Sequence, residues 1–315
     1  MTKKAYLYLP KKSGGVLSVH TNLRLVLLKE GYVVHTFGSV LELLRLWVFF
    51  GRCDLQITAL GAGILNLFVP KSLYIVHGFP FYNSHNIVKR QVLINIPRVL
   101  SLASRKTVAV SNLVEIIYSE LFGVRLSTRI LNCVDPDFFH YKMNKEKIII
   151  YIGRIDHGKG IELLIEGFLF SKLSDLGYRL LIAGSGPICS SLEKKYLSQS
   201  IGFPGFVSTQ EKYKLLHRAE VFSSLNFLEP MGIVNLEAIK CKCKLVVAQY
   251  GGHVEMAPIY YPVYPVADKT VSAVAKALKD AVASGTGSIS SMENFGTFEQ
   301  FCAEYGDLIK RIESE

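Results

Sequence analysis

Four ionisable residues in the second half of the chain, Arg154, Lys159, Glu229 and Glu237, have the types and spacing to hold a phosphate-bearing ligand. Glu229 and Glu237 stand eight positions apart across Pro230 and Gly232, at what reads as the start of a helix. The apolar run 219–225 before them reads as a strand, and 245–248 after them reads as the next. A strand, a turn and a helix N-terminus make an anion site, because unpaired backbone N–H groups and the helix dipole both point at the ligand. Glu229 would lie just ahead of the helix and Glu237 about two turns in, so the carboxylates can flank a phosphate. A nucleotide-sugar has that shape, with hydroxyls, a diphosphate and a ribose. Two glutamates on a solvated helix face are the plainer alternative.

The basic pair sits in a similar setting. Residues 147–152 are a β-branched run that reads as a strand, followed by Gly153-Arg154-Ile155-Asp156-His157-Gly158-Lys159-Gly160 and a helix carrying Leu163, Leu164 and Phe168. An arginine and a lysine five apart in a glycine-rich strand-to-helix loop suit a diphosphate, one as a planar fork and the other as a point charge. The loop lacks the Gly-x4-Gly-Lys-Ser/Thr pattern and is not a Walker loop. A strand at 178–183 ends in Gly184-Ser185-Gly186-Pro187, where the proline and the missing third glycine argue against a dinucleotide fingerprint. In the first half, Gly14-Gly15 follows a short strand at 6–9 and would let the backbone approach a phosphate, although Gly-Gly is also ordinary turn chemistry. His77 ends a strand at 72–76, where parallel sheets place their ligands.

Glu229-x7-Glu237, Gly153-Arg154 with Lys159-Gly160, Asn132-Cys133-Val134-Asp135 and Gly251-Gly252-His253-Val254-Glu255 together resemble the motifs of the glycosyl-transferases-group-1 family, retaining glycosyltransferases of the GT-B fold. Cys133 replaces that family's glycine. The resemblance is strongest over 151–255; before residue 107 it rests on Gly14-Gly15 and His77 alone. It implies an α/β architecture of two Rossmann-like parallel-sheet domains facing across a cleft, with a C-terminal helix crossing back to the first. The expected domains are 1–143 for the acceptor, 144–294 for the nucleotide-sugar, and 295–315 returning to the first. The resemblance also implies roles. Glu229 contacts the donor sugar and Glu237 the ribose. Arg154 and Lys159 neutralise the leaving diphosphate, and His77 faces the sugar from the opposite domain. Glu229, His77, Lys159 and Arg154 are therefore the expected catalytic set. Gly14, Gly15, Gly153, Gly184, Gly232, Ile233 and Val234 would complete the donor site with Arg154, Lys159 and Glu237. No metal and no cofactor beyond the nucleotide-sugar co-substrate is expected. Asp135-x-Asp137 is set aside, because the resembled enzymes use no such metal site and turn chemistry explains it.

A chain of 315 residues fits two domains of about 150. Half the residues are hydrophobic and 20% are charged, which excludes a disordered chain. The net charge of +10 is uneven: residues 1–150 hold 19 Lys and Arg against 8 Asp and Glu, and residues 151–315 hold 17 against 18. Such a field predicts an anionic partner for the first half, be it a membrane surface, a lipid phosphate or a nucleic acid. No aromatic–basic interleaving favours bases, so lipid is preferred. The six cysteines show no paired metal spacing and read as reduced thiols of a cytosolic protein. The N-terminal apolar run is too short for a signal peptide, and no run reaches ~18 uninterrupted apolar residues. Residues 40–50 are apolar except for Glu42 and Arg45, and a core helix on the sheet is preferred to a membrane-facing one.

The expected reaction moves a sugar from a UDP- or GDP-sugar to an acceptor hydroxyl, on a lipid-linked or membrane-surface glycan, at the cytoplasmic face of a membrane. Retention of anomeric configuration follows from the resemblance alone. The alternatives are transfer to DNA or protein, a sugar-nucleotide epimerase of the same fold, and a non-catalytic nucleotide-sugar-binding subunit.

Overall fold

The computed structural model describes residues 2–11, 14–79, 87–136, 138, 141–256, 261–284 and 296–315, with the backbone alone at 87–94. Asp137 and the expected boundary at 294–295 lie outside the described residues. The chain divides into two compact units, Met1–Pro136 with Gly296–Glu315, and Asp137–Phe295.

The first unit runs β1 (Lys4–Tyr8), α1 (Gly15–Lys29), β2 (Val33–Phe37), α2 (Val40–Phe50), β3 (Leu55–Ala59), a 3-10 segment Leu60–Phe68, β4 (Ser72–Val76), α3 (Ile87–Leu102), β5 (Lys106–Ala109), α4 (Asn112–Phe122) and β6 (Thr128–Arg129). Its six strands are all parallel in the order β2-β1-β3-β4-β5-β6. The interior strands β3 and β4 are buried at every position, as expected of a sheet covered on both faces.

The second unit runs β7 (Glu146–Ile152), α5 (Ile161–Ser171), β8 (Arg179–Ala183), α6 (Cys189–Tyr196), β9 (Ile201–Gly205), α7 (Thr209–Arg218), β10 (Ala219–Ser224), α8 (Ile233–Lys240), β11 (Lys244–Ala248), β12 (Val263–Val266) and α9 (Val271–Ala283). Its parallel order is β12-β11-β10-β7-β8-β9. The first strand of this unit, β7, therefore lies beside its fourth, β10, and the chain winds outward both ways from that pair. Ligands of such sheets bind beyond the strand C-termini at this switch point. The doubly wound α/β plan expected from the sequence is the one observed.

A last helix, α10 (Phe298–Ser314), belongs to the first unit. Thr297 caps it by accepting from Gln300 N–H. Phe301, Tyr305, Ile309 and Ile312 bury one face, and Lys3 and Lys106 bind Glu313 and Glu315 at 2.7 and 2.6 Å. The return of this helix to the first unit was legible in the sequence.

The helix α2 departs from the core helix preferred above. Of its residues only Leu43 is buried. The reason is position: it follows β2, the edge strand of the sheet, and has a narrow surface to pack against. No helix among the described residues is long and apolar enough to cross a membrane.

Candidate functional site

The switch point of the second sheet explains why residues far apart in sequence meet. Val221 and Phe222 of β10 pair with Ile149 and Ile150 of β7, so the loops leaving these two strands are neighbours. From the β7 loop, Lys159 Nζ reaches Glu229 Oε2 at 2.9 Å, across 70 residues of chain. The same oxygen accepts from Asn226 Nδ2 at 2.6 Å, and the pair is mostly buried. Two glycines make the approach possible. Gly160 has φ +67°, and a Cβ there would lie 2.5 Å from the carbonyl oxygen of Leu225, at the end of β10. A Cβ on Gly184 would lie 1.8 Å from the carbonyl oxygen of Gly153, so those two loops pack backbone on backbone.

Gly153 and Arg154 are held from below. Tyr151 donates its hydroxyl to the Arg154 carbonyl at 2.8 Å. Burial raises the Tyr151 pKa, and the nearby Glu229 and Asp156 carboxylates add to the shift, so it stays a neutral donor. Arg154 does not join the Lys159–Glu229 pair. Its side chain is 71% exposed, and its Nε lies 3.1 Å from Asp156. Asp156 in turn accepts from Gly158 N–H at 3.1 Å and caps the short turn that carries Lys159.

The α8 N-terminus is set by Gly232, which takes a left-handed φ of 73° and, as a glycine, supplies no side-chain cap. A Cβ there would stand 2.2 Å from Asn235 Nδ2, which donates to the Gly232 carbonyl at 3.0 Å. Ile233 and Val234 open the helix, half-buried, and their N–H groups have no intrahelical acceptor. Glu237 is the fifth residue of α8, a little over one turn in rather than two, because the helix starts at Ile233. Its carboxylate is buried, held by Lys212 Nζ of α7 with the Tyr213 hydroxyl at 3.5 Å. Glu229 and Glu237 are thus each bound to a lysine, but to different ones.

In the first unit, Gly14 leads into α1 with φ 146°, and Gly15 is the first residue of that helix. His77 follows β4 and pairs with a residue the sequence reading missed: His20 Nε2 lies 3.1 Å from His77 Nε2. His20 Nδ1 lies 2.6 Å from the Tyr8 carbonyl oxygen. A carbonyl only accepts, so Nδ1 of His20 carries the proton and its Nε2 is the acceptor. His77 must then donate from Nε2, which leaves Nδ1 as its lone acceptor. Burial holds both rings neutral, lowering His20 to about 4 and His77 well below its usual value, and their closeness further disfavours charging both at once. The signal for His20 was present: it and Asn22 are polar residues on the face of α1 that also buries Leu23 and Leu27. Asn226 was findable three residues before Glu229. Lys212 had no local signal, because only the fold brings α7 to α8.

Comparison with known proteins agrees with this architecture. The family described as glycosyl transferases group 1 matches residues 136–297. An uncharacterized glycosyltransferase of Methanocaldococcus jannaschii is 36% identical over 115 residues, 35% of this chain and 29% of that protein. A Campylobacter jejuni enzyme, named as an α-1,4-N-acetyl-D-galactosaminyltransferase acting on an undecaprenol-linked glycan, is 28% identical over 141 residues, 43% of this chain and 39% of that protein. The chain spans about a third of the length of the curated relatives it matches. Among solved structures, sucrose-phosphate synthase of Thermosynechococcus elongatus superposes with a TM-score of 0.78 at 15% identity, covering 99% of both chains. HepE of Anabaena, solved with UDP and glucose, gives 0.68 at 14% identity over 99% of this chain and 100% of that one. Likeness at this identity speaks to the GT-B fold.

Proposed function

The chain belongs to the glycosyl transferases group 1 family, and from that premise we propose that it moves a sugar from a nucleotide-sugar to an acceptor hydroxyl, with retention and without a metal. The observation that carries the reading is the Lys159–Glu229 pair at 2.9 Å, at the switch point and a few residues ahead of the α8 N-terminus. Breaking the anomeric C–O bond leaves negative charge on the diphosphate and an oxocarbenium-like sugar. Lys159, Arg154 and the N–H groups of Ile233 and Val234 would offset that charge. Glu229 would accept sugar hydroxyls and fix the ring, and Glu237 the ribose hydroxyls. Gly14, Gly15 and His77 are assigned to the donor by family resemblance. The acceptor oxygen bonds to the anomeric carbon on the face the diphosphate leaves, and its proton passes to the departing phosphate oxygen.

The acceptor in this proposal is a lipid-linked glycan, reached from the cytoplasmic face of a membrane. The charge excess of residues 1–150 and the undecaprenol-linked substrate named for the Campylobacter relative support it. The test is melting temperature against UDP, GDP, ADP, CDP and TDP, with and without magnesium, then turnover with the sugar of the nucleotide that binds. A shift with one nucleotide that magnesium leaves unchanged supports the donor half. Donor conversion without acceptor would replace the reading with an epimerase, and an inverted anomer would sink retention.

A further inference from the structure

The helix α2 is apolar nearly all round, yet it lies at a sheet edge and buries one stripe. Helices of this composition are normally covered on every side. Leu43 points into a cluster with Tyr6, Phe37 and Leu65, and Leu46 and Trp47 pack against that cluster. The opposite face presents Leu41, Leu44 and Val48, at spacing i, i+3 and i+7, with Phe49 beside them. Val48 and Phe49 are 80% and 77% exposed. The 3-10 segment Leu60–Phe68 rests on the same cluster and ends in exposed Leu67 and Phe68. The Phe68 ring meets Trp47 edge-on at 6.0 Å, which joins the two elements into one apolar surface. A surface of six large apolar side chains is more than isolated exposed residues account for.

The charges around it say what covers it. The one acid of α2, Glu42, is occupied by Lys11 at 2.7 Å and by the Gly38 N–H at 2.6 Å. Asp54, just past the helix, accepts the Lys4 backbone N–H at 2.7 Å. Lys4 Nζ sits on the Phe50 carbonyl at 2.9 Å, at the C-terminus of α2. Arg45 and Arg52 are exposed and form no ion pair with a described residue. An apolar face with its one helical acid paired to a lysine and its arginines free matches acyl chains beneath anionic headgroups. A second copy would bring like charges together, and a nucleic acid has no use for the apolar face. We propose that the outer face of α2 with Leu67 and Phe68 docks this protein on an anionic lipid surface, the leucines, valine and phenylalanines entering the headgroup–acyl boundary and Arg45 and Arg52 binding lipid phosphates. This rests on the lipid-linked acceptor reading only for its purpose.

The full chain is sedimented with vesicles of phosphatidylcholine alone and with about one third phosphatidylglycerol. Wild type should bind the anionic vesicles, less so at 0.5 M salt than at 0.1 M. Val48→Glu/Phe49→Glu should weaken that binding at least tenfold; both side chains are exposed, so the melting temperature should hold. Arg45→Glu/Arg52→Glu should lose the preference for anionic over neutral vesicles. Leu176→Glu, an exposed apolar position of the second unit, should change nothing. Vesicle binding by Val48→Glu/Phe49→Glu equal to wild type overturns the proposal. So does a wild-type dimer, seen by sedimentation velocity, that this variant dissolves, because the face is then a self-association surface. Nucleotide-induced melting shifts on the same samples separate the two readings: their loss strikes the donor assignment alone, and loss of vesicle binding strikes the docking surface alone.

Discussion

The two units share a doubly wound sheet and differ in how they keep polar groups inside. The second buries ions in pairs: Glu229 with Lys159, Glu237 with Lys212, and Glu220 with Lys244 at 2.9 Å. The first buries neutral groups. His20 pairs with His77, and Asn66 serves as a hub for Gln56 at 2.9 Å and Thr58 at 2.8 Å. Its ion pairs lie at the surface, among them Lys3, Arg105 and Lys106 with Glu313 and Glu315 at the α10 end and Lys11 with Glu42 at α2. Burying an ion is costly unless a counter-ion is at hand, so charge is kept inside where charge is used. Under the proposed function, the paired ions of the second unit would be the ones set against a leaving diphosphate, and the neutral His20–His77 pair of the first would meet uncharged groups.

That contrast is most exposed at Lys159. Lys159→Ala should lower kcat/KM by about 10²–10⁴-fold, because a charge aimed at the developing phosphate charge is lost. His77→Ala removes one neutral hydrogen bond and should cost about ten- to a hundredfold. Steady-state kinetics on both variants check the order, and a reversed order would break the assignment of charge work to the second unit. Next in size is Lys212→Met. It leaves the buried Glu237 carboxylate without its cation, and urea unfolding should show a loss of about 3 kcal/mol. Adding Glu237→Gln should recover part of that loss. If Lys212→Met is as stable as wild type, paired burial does not describe this unit.

How much of this was readable in the sequence follows from the same contrast. The 153–160 and 226–232 loops announce themselves because glycines, an asparagine and ions crowd the ends of apolar strands, and strand ends are where parallel sheets gather ligands. Even so, the strand order was needed to learn that Lys159 touches Glu229 while Arg154 stays outside and pairs with Asp156. Gly184 read as a ligand contact, and its missing side chain is explained by the Gly153 carbonyl packed against it. Lys212 was invisible, since nothing in Glu211-Lys212-Tyr213 distinguishes a solvated lysine from one inserted beside Glu237. The apolar composition of α2 was plain, but whether a helix is covered depends on how many neighbours its strand has, and the sequence does not place β2 at an edge.

The smallest expected change in turnover, at His20, tests the neutral half of the contrast most sharply. His20 is buried, with its pKa lowered from an ordinary 6.5 to about 4. A base depressed in this way is uncharged in the fold and takes a proton on unfolding. Its contribution to stability is whole above pH 6.5 and is lost as pH falls toward 4, at up to about 1.4 kcal/mol per pH unit and about 3 kcal/mol in all. His20→Gln should flatten this acid limb, because an amide does not titrate. Gln carries both a donor and an acceptor, so it can still give to Tyr8 and accept from His77 Nε2–H, and His77 keeps its tautomer. His20→Leu flattens the limb as well but frees the tautomer. Turnover should therefore fall about tenfold in His20→Leu and stay within about threefold of wild type in His20→Gln. Equal activity of the two variants would mean that His20 only fills space. A lower activity for Gln than for Leu would mean that donating to Tyr8 and accepting from His77 is not what His20 contributes, and the hydrogen-bonding account of the pair would fall with it.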